Sequence, residues 1–217
     1  MGFQIEVWGQ NACFTRPEMK VERVSYDVIT PSAARGLLEA IYWHPGMKWV
    51  IDRIHVLHPI RFQNIRRNEV KSVTSGSAVR SMMNGGKAPY IAAKEDIQQR
   101  ASMILVNVKY VIEAHFEKTE RASPADNEGK FTDIIRRRLE RGQTYHQPYF
   151  GCREFPAFFR EWDGRTVRTA PELAGERDLG YMLYDMDYTD RENIQPMFFR
   201  AVLRDGVLDL GKCEVLR

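Results

Sequence analysis

Of the five histidines in the chain, His115 stands where a substrate can reach it. The residues Val106, Val108, Tyr110, Ile112, Ala114 and Phe116 take alternate positions of one long segment. Strand alternation therefore collects Asn107, Lys109, Glu113 and His115 on the opposite face. An imidazole, with an unperturbed pKa of about 6.5, can give or take a proton near neutral pH, so the chemistry on offer is acid–base catalysis. The same spacing also describes a surface histidine paired with Glu113 or Glu117. The other histidines are less suited: His55 and His58 fall on opposite faces of a strand-like segment, His44 begins a helix stop, and His146 sits in the loop 143–148.

Metal and cofactor chemistry have little support. Asp185, Asp187 and Asp190 read as a solvated strand face, because no histidine or glutamate completes a ligand set. Cys13, Cys152 and Cys213 are far apart and form no CxxC pair, which argues against a disulfide framework or zinc site and suits a reducing cytosol. No metal and no cofactor are expected.

The formal net charge of +3 is too mild to imply a nucleic-acid partner, so the placement of charge must carry that argument. Arg16, Lys20 and Arg23 follow the first strand, and Arg61, Arg66, Arg67 and Lys71 follow the second. Between 64 and 100 the basic residues outnumber Glu69, Glu95 and Asp96, and Gly76, Gly85 and Gly86 would let backbone approach phosphates closely. A second run lies at Arg136, Arg137, Arg138 and Arg141. Each cluster is either a solvated face or a phosphate-binding one.

The elements that must position these groups follow from pattern. Met1 to Gln10 alternates as a strand. Thr30 caps a helix whose first position is Pro31 and which runs to Trp43, placing Arg35, Leu38 and Tyr42 along one stripe. Lys48 to Phe62 reads as one strand, residues 64–100 as a long irregular insertion, and Asn127 to Gly142 as a helix closed by glycine. Later strands are expected at Cys152 to Trp162, Tyr181 to Tyr188 and Met197 to Arg204, with Asp205-Gly206 turning into Val207 to Leu210. The fold class is α+β: a ferredoxin-like, RRM-like βαββαβ domain over 1–148, its last strand reaching to about 162, with a C-terminal antiparallel β subdomain over 149–217. No run approaches the ~18 apolar residues of a membrane span, and no secretory pattern opens the chain, so a soluble, cytoplasmic protein is expected.

Seven segments resemble the Cas5 family of type I-C CRISPR systems. They are Ala12 to Glu18, Tyr26 to Glu39, Ala40-Ile41-Tyr42-Trp43, Ile51 to Phe62, Ile65 to Val70, Gly151 to Phe155 and Leu179 to Asp187. Their number and order make the resemblance specific over most of the chain. It implies an endoribonuclease that cuts precursor CRISPR RNA at the base of its repeat hairpin without a metal. Such a protein replaces the dedicated sixth Cas protein of other type I systems. It then stays on the 5′ handle of the guide RNA within the Cascade complex.

The resemblance also implies catalysis by a tyrosine of the first helix, which falls on Tyr42, and by a histidine, which falls on His115. A nearby lysine has no exact counterpart: Glu113 and Ala114 precede His115, Lys109 shares its strand face, and Lys118 lies beyond on the other. From the residues alone Tyr42 also reads as an aromatic packing at the helix edge. The chemistry is coherent, since an RNA 2′-hydroxyl can attack its own phosphate if the protein aligns it, moves two protons and stabilises charge. Candidate catalytic residues are thus Tyr42, His115 and Lys109. Candidate RNA contacts are Arg16, Lys20, Arg23, Arg35, Arg61, Arg66, Arg67 and Lys71. Expected partners are repeat RNA, mature guide RNA and other type I-C Cascade subunits. Alternatives are a non-catalytic handle-binding subunit and a subunit that binds duplex DNA.

Overall fold

Alternation of buried Phe3, Ile5 and Val7 makes the first segment a strand, β1 (Gly2–Ala12). The structure, a computed structural model, describes residues 2–190, 192–211 and 213–217; Met1, included in the expected strand, lies outside them. A 3-10 turn and the short β2 (Arg23–Val24) lead to α1 (Pro31–Ile41). Thr30 Oγ1 accepts from the Ala33 amide at 3.2 Å, and Pro31 fills the first helical position, where a missing N–H costs nothing. The helix is shorter than expected. Tyr42 leaves it in extended conformation (φ −148°, ψ 122°), and its carbonyl accepts from Trp49 Nε1 at 2.9 Å. Pro45 disfavours helical geometry at His44, so the chain cannot continue the turn.

The strand expected over Lys48 to Phe62 ends early, as β3 (Met47–Val56), and a separate strand, β4 (Phe62–Val70), begins at its last residue. Pro59 lies in the break, lacking a ladder donor and constraining His58. The expected irregular insertion is also ordered. β4 pairs antiparallel with the first half of β5 (Ile97–Lys118), from Phe62↔Leu105 to Val70↔Ile97, and α2 (Gly76–Met83) sits at the tip of this arm. Both faces of the arm are largely exposed, so its sequence lacks the hydrophobic alternation that reveals strands.

The helix α3 (Glu128–Arg141) has Asn127 as its cap, accepting from Lys130 N at 2.8 Å, and ends at Gly142 with φ 61°, a left-handed conformation suited to glycine. The remaining strands are β6 (Phe158–Glu161), β7 (Glu176–Asp187), β8 (Gln195–Arg204), β9 (Val207–Asp209) and β10 (Val215–Leu216). β6 is far shorter than the strand expected at Cys152 to Trp162. Gly151, at φ 78°, packs its α-carbon against the Cys13 carbonyl, so this stretch turns under β1 before it can pair.

The result is a mixed α/β protein with one large, mainly antiparallel sheet, ordered β10-β8-β9-β3-β5-β1-β6, with β2 and β4 on β5 and β7 on β8. β9 pairs with β3 through Ile54↔Leu208, so the C-terminal strands continue the same sheet. Both long helices lie on one side. There Phe131 of α3 meets Phe116 of β5 edge-on at 5.7 Å, and Phe3 meets Trp49 at 5.6 Å. The β1–β5 register is constant from Gly2↔His115 to Ala12↔Leu105. In β5 beyond Asn107, whose φ of 52° interrupts the alternation, even-numbered residues such as Ile112, Ala114 and Phe116 therefore face the helices, and the odd-numbered ones form the helix-free face.

Candidate functional site

The helix-free face of β5 carries polar groups in line. At one end His115 Nδ1 lies 2.9 Å from each carboxylate oxygen of Asp52. Asp52 gets there through an irregularity in β3: the register shifts between Ile51 and Arg53, leaving one extra residue in the strand. A carboxylate only accepts, so it holds the hydrogen on Nδ1 and leaves Nε2 to take or give a proton. Glu117 is 3.9 Å from Nε2, and His115 remains 35% exposed, open to a large substrate. Glu113, one of the two carboxylates considered as its partner, is instead engaged by His55 at 2.9 Å and Gln4 at 3.0 Å. Lys48 shares this face, in register with Glu117 next to Val50↔His115. It is exposed and has no carboxylate partner among the described residues.

The other two catalytic candidates lie elsewhere. Lys109 shares the His115 face but stands six positions back along β5, about 20 Å at ~3.3 Å per residue. Its ammonium is 2.7 Å from Glu6, a carboxylate only 1% exposed that Arg160 also binds. Burial alone would raise the Glu6 pKa, but hydrogen bonds and charge from Lys109 and Arg160 outweigh it and hold the group below its ordinary value. Tyr42 is on the opposite, helix-covered side, buried, with its ring 6.3 Å from Phe131 and the Arg138 guanidinium 5.1 Å above it. Burial pushes its hydroxyl pKa up, against the pull of Lys130 and Arg138. Because it has left α1, the expected stripe with Arg35 does not form. The structure does not bring Tyr42, His115 and Lys109 into one site.

The eight basic candidates divide evenly. Arg16 pairs with Asp27 at 2.9 Å, Arg23 with Glu69 at 3.5 Å, and Arg35 with Glu39 at 2.8 Å and Asp185 at 2.7 Å. Arg67, 15% exposed, is held by Glu154 and Glu69, tying the arm to the loop after Gly151. These four serve internal ion pairs. Lys20, Arg61, Arg66 and Lys71 are exposed, with no carboxylate partner among the described residues. Arg66 pairs with Ala101 of β5. Both are exposed, so Arg66 points outward from the arm.

Sequence reasoning missed Asp52 and Lys48 near His115. A signal for the first existed: the buried apolar positions of β3 change parity from Trp49 and Ile51 to Ile54 and Val56, which marks an extra residue between them. It also missed a cavity of about 390 Å³ beside Lys109, roofed by Trp8 and Phe158. Among the described residues no group of histidine, cysteine and carboxylate side chains is arranged to hold a metal ion. Likewise, no helix among them is long and apolar enough to cross a membrane.

Comparison with known proteins places the chain in a family. The protein called CRISPR pre-crRNA endoribonuclease Cas5d in Mannheimia succiniciproducens is 48% identical over 212 residues, covering 95% of this chain and 93% of its own. Its namesake in Thermus thermophilus is 39% identical over 224 residues, covering 95% of this chain and 90% of its own. A crystal structure of a CRISPR-associated protein has the same fold, with a TM-score of 0.72 at 22% identity, covering 100% of this chain and 97% of that one. The family profile described as CRISPR-associated protein (Cas_Cas5) matches residues 2–210. The chain belongs to the Cas5d family of CRISPR-associated proteins.

Proposed function

We propose that the chain is the repeat endoribonuclease of a type I-C CRISPR system, cutting precursor CRISPR RNA within its repeat and keeping the 5′ handle of the guide RNA in Cascade. The observation that carries this reading is the His115–Asp52 pair. It stands exposed on β5, the strand whose first half pairs with the arm that carries exposed Arg66, in a chain 48% identical to a pre-crRNA endoribonuclease. RNA lying along β5 would meet phosphate-binding charge first and a proton carrier last.

In the reaction, the 2′-hydroxyl oxygen forms a bond to the adjacent phosphorus and the bond from phosphorus to the 5′-oxygen breaks. The products are a cyclic phosphate and a free 5′-hydroxyl. His115 Nε2 transfers one of the two protons, Asp52 positions the ring, and Lys48 supplies charge at the phosphate. No step uses a metal. The resemblance adds Tyr42 and Lys109 to the catalytic set, and the geometry ranks both behind His115. The strand order β3-β5-β1-β6, with α1 and α3 on one side, supports a ferredoxin-like reading of the first part of the chain. Residues 149–217 form the β subdomain that extends it. A cytoplasmic location and contacts with the other type I-C subunits complete the proposal.

Incubating the purified protein with labelled repeat RNA in EDTA tests it. Cleavage is expected to persist, and an RNA with a 2′-deoxy sugar just 5′ of the scissile phosphate is expected to bind but stay intact. Complete loss of cutting in EDTA, or normal cutting of the deoxy substrate, contradicts the mechanism. Duplex DNA bound as tightly as repeat RNA, without RNA cleavage, favours a DNA-binding role instead.

A further inference from the structure

The cavity beside Lys109 serves no step of the proposed cleavage, yet its lining is specialised. Trp8 of β1 and Phe158 of β6 are cross-strand partners whose rings stack at 24° with centroids 6.0 Å apart. The Arg160 guanidinium lies 5.6 Å from the Trp8 ring. Phe158 is 53% exposed, although an aromatic ring of that size is costly to leave in water. On the other side stand Lys109 and His58, and His58 Nδ1 is fixed 2.9 Å from the Asn107 carbonyl. Charge in the cavity is unbalanced. Glu6 is the one carboxylate among its described lining residues and faces two cations, Lys109 and Arg160, leaving net positive charge around an aromatic platform.

A ligand that satisfies both features has a flat ring and an anionic group. Aliphatic chains would leave the charge unmet, and a lone phosphate would leave the rings uncovered. We propose that this cavity takes one unpaired nucleotide of the RNA, its base stacked on the Trp8–Phe158 platform and its phosphate against Lys109 and Arg160. Buried Glu6 acts as the anchor that sets the two cations in place. Lys109 thereby has a role in holding RNA about 20 Å along β5 from His115, fixing how far the scissile phosphate lies from the gripped nucleotide. The inference rests on the reading of the chain as an RNA-processing protein.

The test is to replace single unpaired purines of the repeat RNA, one at a time, with the fluorescent base 2-aminopurine. One position is expected to be quenched on binding, and Phe158→Ala is expected to abolish that quench. The same substitution should weaken RNA binding roughly 5- to 100-fold, the scale of losing one base–aromatic stack. Since Phe158 is exposed the variant should fold, and Trp8→Phe, which keeps a ring, should retain the quench. If the parent protein cuts repeat RNA but no quench depends on Phe158, or Phe158→Ala binds with parent affinity, the cavity is not a nucleotide site. If the parent neither binds nor cuts repeat RNA, the functional reading fails first, and this inference with it.

Discussion

Asp52→Asn is the most informative small change to the proposed site. The carboxylate holds His115 Nδ1 at 2.9 Å from both oxygens, and the asparagine amide can rotate to donate to the same nitrogen. The ring would then carry its hydrogen on Nε2, the nitrogen that faces the substrate, and could no longer accept a proton there. Asp52 is 43% exposed, so the lost charge attraction is small, on the order of 1 kcal/mol in a water-like dielectric. Loss of orientation adds more; a partner that fixes a functional imidazole typically contributes 10- to 100-fold. Together these predict single-turnover cleavage slowed by roughly 50- to 500-fold, with RNA affinity and melting temperature near the parent values. Cleavage at the parent rate would refute the reasoning, leaving Asp52 as one of many surface partners.

Other consequences follow from the ion pairs. Replacing Arg66 and Lys71 with alanine should lower the slope of log affinity against log salt by about 1.4 to 1.8, since each phosphate contact releases counterions; an unchanged slope assigns them to solvent. Arg67→Ala should leave that slope alone and instead loosen the arm, visible as faster proteolysis near Glu154, because Arg67 serves Glu154 and Glu69. Glu6→Gln should cost about 2 kcal/mol at neutral pH by leaving two cations without their buried partner. The folded Glu6 pKa is lowered, so its contribution is complete above the unfolded value near ~4.3 and is lost as pH falls through the folded one. Denaturant melts of parent and variant should therefore converge in acid, and a gap that stays constant with pH would contradict the ion-pair account.

What was legible in the sequence was whatever depends on local chemistry or on one buried face. Thr30-Pro31, Asn127 and Gly142 marked helix ends, and Asp205-Gly206 marked a turn whose two residues both take positive φ (50° and 74°). The alternation from Val106 to Phe116 put His115 on the correct face because the other face is core. The arm was not legible, because strands exposed on both sides have no apolar period to show. Ion pairing was not legible either: Arg67 and Arg66 are adjacent in sequence, and only the fold turns one toward Glu154 and the other outward. Tyr42 looked helical because nothing local announces that its carbonyl is taken by Trp49. The distance from Lys109 to His115 was available from strand geometry alone, and six strand positions already separate them too far for one active site.

In the proposed reaction this chain cuts repeat RNA with His115 as the proton carrier. Single-turnover cleavage of labelled repeat RNA by the parent protein and by His115→Ala, with enzyme above the RNA dissociation constant, tests it most directly. The variant is expected to cut about 10²-fold or more slowly while still binding RNA. Cutting by His115→Ala at the parent rate would contradict it.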